Sequence, residues 1–301
     1  MTKLLQPRRF LPIGVSVLRS DLEGLIGISM SSLTRRNSKV SDAVVDIVGA
    51  LRNFPNIVYL AMVTVRLRYR RSILGPLWIS LTTAIFIFFI GYLYSGFIQM
   101  PFAEYLLNLA LGWVIWHFIA DSILQGGQTF QQASRIIQTT NIEKFSLVLR
   151  TVLTNLIVFG ISLSIPLLTF IAIGTHFTLA TLLIIPALGL IVLSALAASA
   201  FFGIACARYR DLYPLLQSIV RVLFFVTPVL WTPALLATES PRRLIVDLNP
   251  LAHYVAIWRQ PLLGENPDAL SWVVTSGCTI AGLCVAFTVF AAHRQKLIFW
   301  I

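Results

Sequence analysis

Charged residues are scarce in this sequence, and their scarcity limits the class of protein it can be. Only 12% of the 301 residues are Asp, Glu, Lys or Arg, whereas 57% are hydrophobic. The mean hydropathy of +0.83 lies well above that of soluble globular domains. No Asp, Glu, Lys, Arg or His occurs in the 22 residues from Leu77 to Ile98, which as a helix would cross a hydrocarbon core of about 30 Å. The composition therefore predicts an all-α integral membrane protein.

The sequence also lacks the motifs of several enzyme and metal-binding classes. It contains no GxxxxGK[ST] phosphate loop, no HExxH motif and no pair of carboxylates at helical spacing inside an apolar run. Its three cysteines, Cys206, Cys278 and Cys284, fall inside apolar runs without metal-ligand spacing, so we expect them to be buried. We therefore predict no catalytic residues, no metal site, no bound cofactor and no ATP hydrolysis by this chain alone.

The net charge of +11 comes mainly from the beginning of the chain. Residues 1–71 contain 12 of the Lys and Arg but only 4 of the Asp and Glu. Basic residues of this kind flank membrane spans on the cytoplasmic side and attract anionic lipid. The charge therefore indicates contact with membrane lipid, and no nucleic-acid partner is expected.

The apolar runs predict six transmembrane helices with both termini in the cytoplasm. The runs cover residues 77–98, 104–124, 145–173, 178–207, 213–231 and 270–292. The two short outer turns contain no Lys or Arg, whereas basic residues occur in all the inner loops. These basic residues are Arg135, Lys144, Arg208, Arg210, Arg294 and Lys296. We expect a multi-pass protein of the inner (plasma) membrane, with a cytoplasmic tail over residues 1–54 and a six-span domain over residues 55–301.

Two further segments are predicted to be helical without spanning. Asn56–Ser72 alternates apolar residues with arginines, which is typical of an amphipathic helix in the membrane interface or of a simple positive anchor. Thr232–Ala269 has apolar residues at helical spacing on either side of Asn249-Pro250, which predicts two short helices separated by the proline. We expect this pair to be re-entrant on the outer side and buried against protein.

Polar and small residues inside the spans suggest specific contacts. His117 and Asp121 are four residues apart on the second span, where they could relay protons or simply form a polar packing contact. Small residues recur at every fourth position from Ala195 to Ala207 on the fourth span. Such a stripe allows another helix to approach closely.

Four motifs, in order along the chain, resemble one family of membrane proteins. They are LRYRRSILGPLW at residues 67–78, ARYRDLYP at 207–214, FFVTPVLW at 224–231 and NPLAHYVAIWRQPLLG at 249–264. Together with six spans, they resemble the type 2 ABC transporter permeases that export polysaccharides, in particular O-antigen and related lipid-linked glycans. The resemblance covers about residues 55–295.

The resemblance implies an assembly in which the permease and the ATPase are separate subunits. Such permeases are homodimers in which the first and fifth spans of both copies line a passage, and two separate ATPase subunits bind and use ATP and Mg. It places the ATPase docking surface on the inner loop 128–143 and the basic helix before the first span. The outer helices would form a gate.

These roles fall on named residues of this sequence. The docking residues are Arg68, Arg70, Arg135, Glu143 and Lys144, and the outer gate residues are Asn249, Pro250, Trp258 and Arg259. Aromatic side chains of the first and fifth spans could offer flat surfaces to sugar rings, and Arg221 could meet an anionic lipid headgroup inside the passage. The passage residues are Phe86, Phe89, Tyr92, Arg221, Phe224 and Phe225.

Three alternatives have different requirements. An ABC exporter of drugs or small lipids would share this architecture. A proton-coupled secondary transporter would use His117 and Asp121 as a relay and is expected to show inverted repeats, which the sequence lacks. A glycan-processing enzyme would need outer acidic residues at catalytic spacing. The outer acids do not provide it: Glu239, Asp247, Glu265 and Asp268.

Overall fold

In the computed structural model, which describes residues 39–98, 100–140, 142–174, 178–233 and 241–301, all regular elements are helices. The five longest are α3 (Leu77–Ile98), α4 (Phe102–Gln132), α6 (Lys144–Ser162), α8 (Ile184–Arg208) and α12 (Ala269–His293). Shorter helices connect or flank them: α1 (Lys39–Arg52), α2 (Phe54–Arg68), α5 (Ser134–Thr139), α7 (Ser164–Ile173), α9 (Leu212–Val226), α10 (Pro241–Asp247), α11 (Pro250–Leu262) and α13 (Leu297–Trp300).

Within the described residues, five helical segments are long and apolar enough to cross a membrane. They are Leu77–Phe97, Phe102–Gln132, Lys144–Ile173, Leu179–Arg208 and Ala269–Trp300, and they correspond to five of the six predicted spans. The third consists of α6 and α7, which are separated at Leu163, close to Pro166. The all-α membrane fold is therefore confirmed.

The predicted fifth span, residues 213–231, is shorter than expected. Helix α9 has 15 residues, about 22 Å in length, which is less than a full crossing. It ends at Thr227 because that residue precedes Pro228 and adopts the extended conformation that a following proline favours. The chain then continues as a buried irregular segment, Thr227–Val229.

Two helices, α1 and α2, precede the first span, and only α2 is basic. Helix α1 lies inside the predicted tail, and Ala43 and Ala50 on it are completely buried. Helix α2 corresponds to the predicted interface helix, and its residues Ile57, Ala61 and Val65, four apart, are buried towards the body of the protein. A bend of 69° separates the two helices, which together reach the length of a span.

The centre of the fold is α4, which packs against α3, α6, α7, α8, α9 and α11. The small-residue stripe of α8 confirms the predicted close approach, because a Cβ atom added to Gly126 of α4 would stand 2.5 Å from Cα of Ser199. The Ser199 hydroxyl donates a hydrogen bond of 2.7 Å to the carbonyl of Ser122. Backbone contact between α4 and α8 therefore fixes the core.

The outer segment contains the two predicted helices, and Pro250 opens the second of them. Burial against protein holds for α11, whose Tyr254, Val255 and Trp258 are buried. It does not hold for α10, where Leu244 and Ile245 are exposed, because only one side of this short helix meets the protein. Burial was predicted for all three cysteines and is confirmed only for Cys206, because Cys278 and Cys284 lie on the outward face of α12.

Candidate functional site

An aromatic cluster joins the helices that were predicted to line the passage. Phe86 of α3 stacks on Trp113 of α4 with ring centroids 3.6 Å apart and an angle of 22° between the rings. Phe224 of α9 meets Trp113 edge-on at 5.6 Å and Trp116 at 5.7 Å. Two of the six predicted passage residues are thus brought together through Trp113, which the sequence did not single out.

The other four predicted passage residues lie on uncovered faces of the same two helices. Phe89 and Tyr92 of α3 are 61% and 70% exposed, and Phe225 of α9 is 63% exposed. Arg221, one turn before Phe225, is also exposed. In a single chain, then, α3 and α9 each present an apolar aromatic face that no described part of the protein covers.

Helix α4 presents a continuous row of functional side chains at every fourth residue. Trp113, His117 and Asp121 line a cleft of about 400 Å³ between α2, α3, α4 and α6. Gln125 and Thr129 continue the row into a second cleft of about 270 Å³ between α2, α4 and α6. The pair His117 and Asp121 therefore faces a cleft rather than the packed core.

The predicted docking residues fall into two groups on the basic side. Arg68 ends α2 and Arg70 follows it in an exposed turn, where both line one cavity. Glu143 and Lys144 instead line a groove of about 400 Å³ against α1. Arg135 lies exposed on α5, which comes between the two groups in the sequence.

A buried acid of α1 fixes the groove that Glu143 and Lys144 line. One oxygen of Asp46 accepts a hydrogen bond of 2.9 Å from the backbone N–H of Phe145, at the first turn of α6. The other oxygen forms an ion pair of 3.1 Å with Arg294, beyond the end of α12. Asp46 was not predicted as a site residue, because the family resemblance begins after α1. An acid within a strongly basic segment was the available signal.

The predicted gate residues on the outer side hold the irregular segment after α9. Asn249 caps α11 by accepting a hydrogen bond from the Leu251 N–H at 3.0 Å, and its amide donates to the Thr227 hydroxyl at 2.9 Å. Arg259 donates to the carbonyl of Pro228 at 3.0 Å. Asn249 and Arg259 therefore pin this segment from the α11 side.

Burial and neighbouring contacts make this outer structure rigid. Arg259 is 5% exposed, and burial lowers the pKa of its guanidinium to about 10, so it keeps its charge at neutral pH. Trp258 packs its ring against Phe159 at 5.3 Å. The hydroxyl of Tyr105 on α4 donates to the Leu230 carbonyl at 2.7 Å, which ties the same segment to the core. Pro250, in the first turn of α11, fixes the direction of the helix.

Comparison with known proteins shows what this chain is similar to. The chain is 25% identical over 243 residues to the O-antigen export system permease protein RfbA of Myxococcus xanthus, a match that covers 80% of this chain and 93% of that protein. A protein of the same name from Klebsiella pneumoniae is 22% identical over 238 residues, which cover 77% of this chain and 91% of that protein. The resemblance to the type 2 ABC permeases is confirmed. No family profile matches the chain.

The three groups of predicted site residues are connected through α4. A Cβ atom on Gly112 would stand 3.1 Å from the carbonyl oxygen of Val229 and 3.5 Å from Nη1 of Arg259. The predicted gate residue Arg259 therefore contacts α4 directly beside Trp113. The row from Trp113 to Thr129 then runs from the aromatic cluster to the basic side.

Proposed function

We propose that this chain is the membrane permease subunit of an ABC exporter that moves a lipid-linked polysaccharide across the inner membrane. The observation that carries the proposal is the match to O-antigen export permeases over most of both chains, 80% of this one and 93% of the relative. The aromatic faces of α3 and α9 suit this role, because flat apolar rings let sugar rings pass without holding one sugar specifically.

The working unit is proposed to be a homodimer. Helix α3 is a span whose exposed side carries Phe89 and Tyr92. The shorter α9 adds Arg221 and Phe225 to this set of exposed passage residues. A second copy would cover part of these faces and leave a passage between them. Arg221, which is costly to place in lipid, would then face either protein or water.

The energy is proposed to come from two separate ATP-binding subunits. The sequence has no phosphate loop, so ATP and Mg would be bound by those partners and not by this chain. Arg68 and Arg70 form one contact group and Glu143 and Lys144 the other, with Arg135 on α5 between them. Basic residues on these elements also support cytoplasmic termini in an inner-membrane protein.

The proposal is tested by deleting the gene in the organism of origin and examining its surface glycan and its membrane lipids. We expect loss of the surface polysaccharide and accumulation of lipid-linked glycan on the inner side, both reversed by the wild-type chain. A deletion strain with normal surface glycan but altered drug sensitivity would instead favour the drug or small-lipid exporter. The isolated chain should hydrolyse no ATP above background, and hydrolysis by it alone would contradict the partner assignment.

One observation is also compatible with a second mechanism, proton-coupled transport. His117 and Asp121 line a cleft, as a proton relay would require. Export that continues after the partner ATPase loses its catalytic residue, and that stops in His117→Ala, would favour proton coupling. We expect export to depend on the ATPase and to survive the His117 substitution.

A further inference from the structure

The cleft between α2, α4 and α6 has the chemistry of a phosphate site. It has a volume of about 270 Å³, and two arginines, Arg68 from α2 and Arg150 from α6, lie on its walls. Most of its other polar side chains are hydroxyls and amides, including Thr64, Gln125 and Thr151. None of its lining side chains is acidic. We name it the arginine cleft.

Arg150 is held in position while most of its donors stay free. Its Nη2 and Nε atoms both donate to the hydroxyl oxygen of Thr64, at 2.7 Å and 3.3 Å. A guanidinium has five N–H donors, so three have no protein partner among the described residues. Thr64 is itself fixed, because its hydroxyl donates to the carbonyl of Leu60 at 2.7 Å. Thr64 therefore orients one edge of the Arg150 guanidinium, and the N–H groups of its other edge are left to bind a ligand.

The charge of the cleft is not balanced by the protein. In the described part of the chain, no carboxylate forms an ion pair with Arg150 or Arg68. Asp121 lines the adjoining cleft together with Arg68, so it can offset one of the two charges. Arg150 keeps an uncompensated positive charge beside an interface helix. An oxyanion that accepts several hydrogen bonds in a fork geometry is the partner that such a guanidinium prefers.

We propose that the arginine cleft binds a phosphate group, and that its source is the headgroup of an anionic membrane phospholipid. The phosphate would accept from the free N–H groups of Arg150 and from Arg68, and the hydroxyls would complete its hydrogen bonds. A lipid is favoured over free phosphate because the cleft lies between an interface helix and two spans, where a headgroup is concentrated by the bilayer itself. The proposal does not rest on the identity of the exported substrate, so a failure to bind phospholipid would leave the proposed export function standing.

The experiment uses the full chain in nanodiscs of phosphatidylcholine mixed with phosphatidylglycerol, followed by native mass spectrometry of the lipid that stays bound. Wild type should retain phosphatidylglycerol selectively. Arg150→Gln and Arg68→Gln should each weaken retention by about tenfold, the loss expected for one charged hydrogen-bond partner. Arg150→Lys keeps the charge but loses the fork geometry, so its retention should lie between that of Arg150→Gln and that of wild type. The matched control is Arg210→Gln, an exposed arginine of the α8–α9 turn outside the cleft, which should behave as wild type.

Two results would overturn the proposal. The first is equal retention of phosphatidylglycerol in Arg150→Gln and Arg210→Gln, when both variants show the thermal stability of wild type. The second concerns the source of the phosphate and uses nanodiscs of phosphatidylcholine alone. Stabilisation by inorganic phosphate that depends on Arg150, without selective retention of phosphatidylglycerol, would reject the lipid and assign the cleft to free phosphate. If Arg150→Gln is unstable, Arg68→Gln decides, because no hydrogen bond to Thr64 is lost there.

Discussion

Arg221 carries a charge in the middle of α9, a helix with no other charged side chain. An arginine facing lipid at the centre of a span costs at least about 2.5 kcal/mol, so we expect this one to face the passage. Arg221→Glu should therefore reduce export more strongly than Arg221→Ala, because it repels an anionic lipid carrier instead of merely losing its partner. Surface polysaccharide measured at equal protein level checks this.

The control for Arg221 is Arg243→Glu. Arg243 lies on α10 and forms only an exposed contact of 3.9 Å with Asp247, which is worth little in stability. The Arg243→Glu variant should export polysaccharide normally. Normal export by Arg221→Glu, at wild-type protein level, would remove Arg221 from the passage.

Asp46 joins three distant parts of the chain through two contacts, one to Phe145 and one to Arg294. Asp46→Ala should lower the free energy of unfolding by about 1–3 kcal/mol, because the part-buried N–H of Phe145 loses its acceptor and the largely buried guanidinium of Arg294 loses its carboxylate. Asp46→Asn should lose less, since its side-chain oxygen can still accept from Phe145. Unfolding of the purified protein in detergent measures both.

Asp211 provides the comparison for Asp46. It is an exposed acid just before α9, and its side chain caps no helix. Asp211→Ala should leave the unfolding midpoint unchanged. Equal midpoints for Asp46→Ala and Asp211→Ala would show that α1 is not anchored by this carboxylate.

The packing of α4 on α8 depends on the absence of a side chain at Gly126. A methyl group there would stand 2.5 Å from the backbone of Ser199, so the two helices would have to separate. Gly126→Ala should destabilise the protein by about 1–3 kcal/mol despite the better helix propensity of alanine. Gly277→Ala on α12 is the matched control, because a Cβ atom there meets nothing within 4 Å. A thermal midpoint for Gly126→Ala as high as that of Gly277→Ala would contradict the close approach.

The turn after α11 tests which side of the membrane the gate faces. Glu265 is exposed in this turn, so a cysteine in its place is accessible to reagents in water. In a chain whose three native cysteines are replaced, Glu265→Cys should react with a membrane-impermeant thiol reagent added from outside. Arg135→Cys on α5 should react only after the inner side is opened. The reverse pattern would invert the topology.

The elements that were predicted correctly are those whose pattern lies within one short segment of the sequence. The apolar length of α3, the four-residue stripe on α8 and the break at Pro250 each depend on neighbouring residues, and all three are observed. The short α9 was misjudged because apolar residues continue past Pro228. The hydropathy pattern therefore gave no sign that α9 ends before Pro228.

The site was predicted less completely because its contacts connect distant positions. Phe86 and Phe224 were identified from aromatic content, but the residue that joins them, Trp113, depends on how α4 is rotated in the core. Asp46 and Arg150 act through partners far away in sequence, Arg294 and Thr64. No periodicity within one segment could have paired them.

At the scale of the whole molecule, the uncovered aromatic faces of α3 and α9 distinguish a single chain from the proposed dimer. Tyr92 and Phe225 expose 70% and 63% of their surface, as a lipid-facing residue such as Val273 on α12 also does at 69%. Exposure alone therefore does not distinguish a face that contacts a second copy from a face that contacts lipid.

In a chain without its three native cysteines, we expect Tyr92→Cys or Phe225→Cys to form disulfide-linked dimers in native membranes under mild oxidation. Val273→Cys, equally exposed, should stay monomeric because α12 faces lipid in the proposed assembly. Dilution of the protein with excess lipid before oxidation should leave the Tyr92 or Phe225 dimer in place, since a specific interface survives dilution and random collision does not. Cross-linking at Val273 that equals or exceeds that at both other positions would place the dimer interface on α12 and remove α3 and α9 from it.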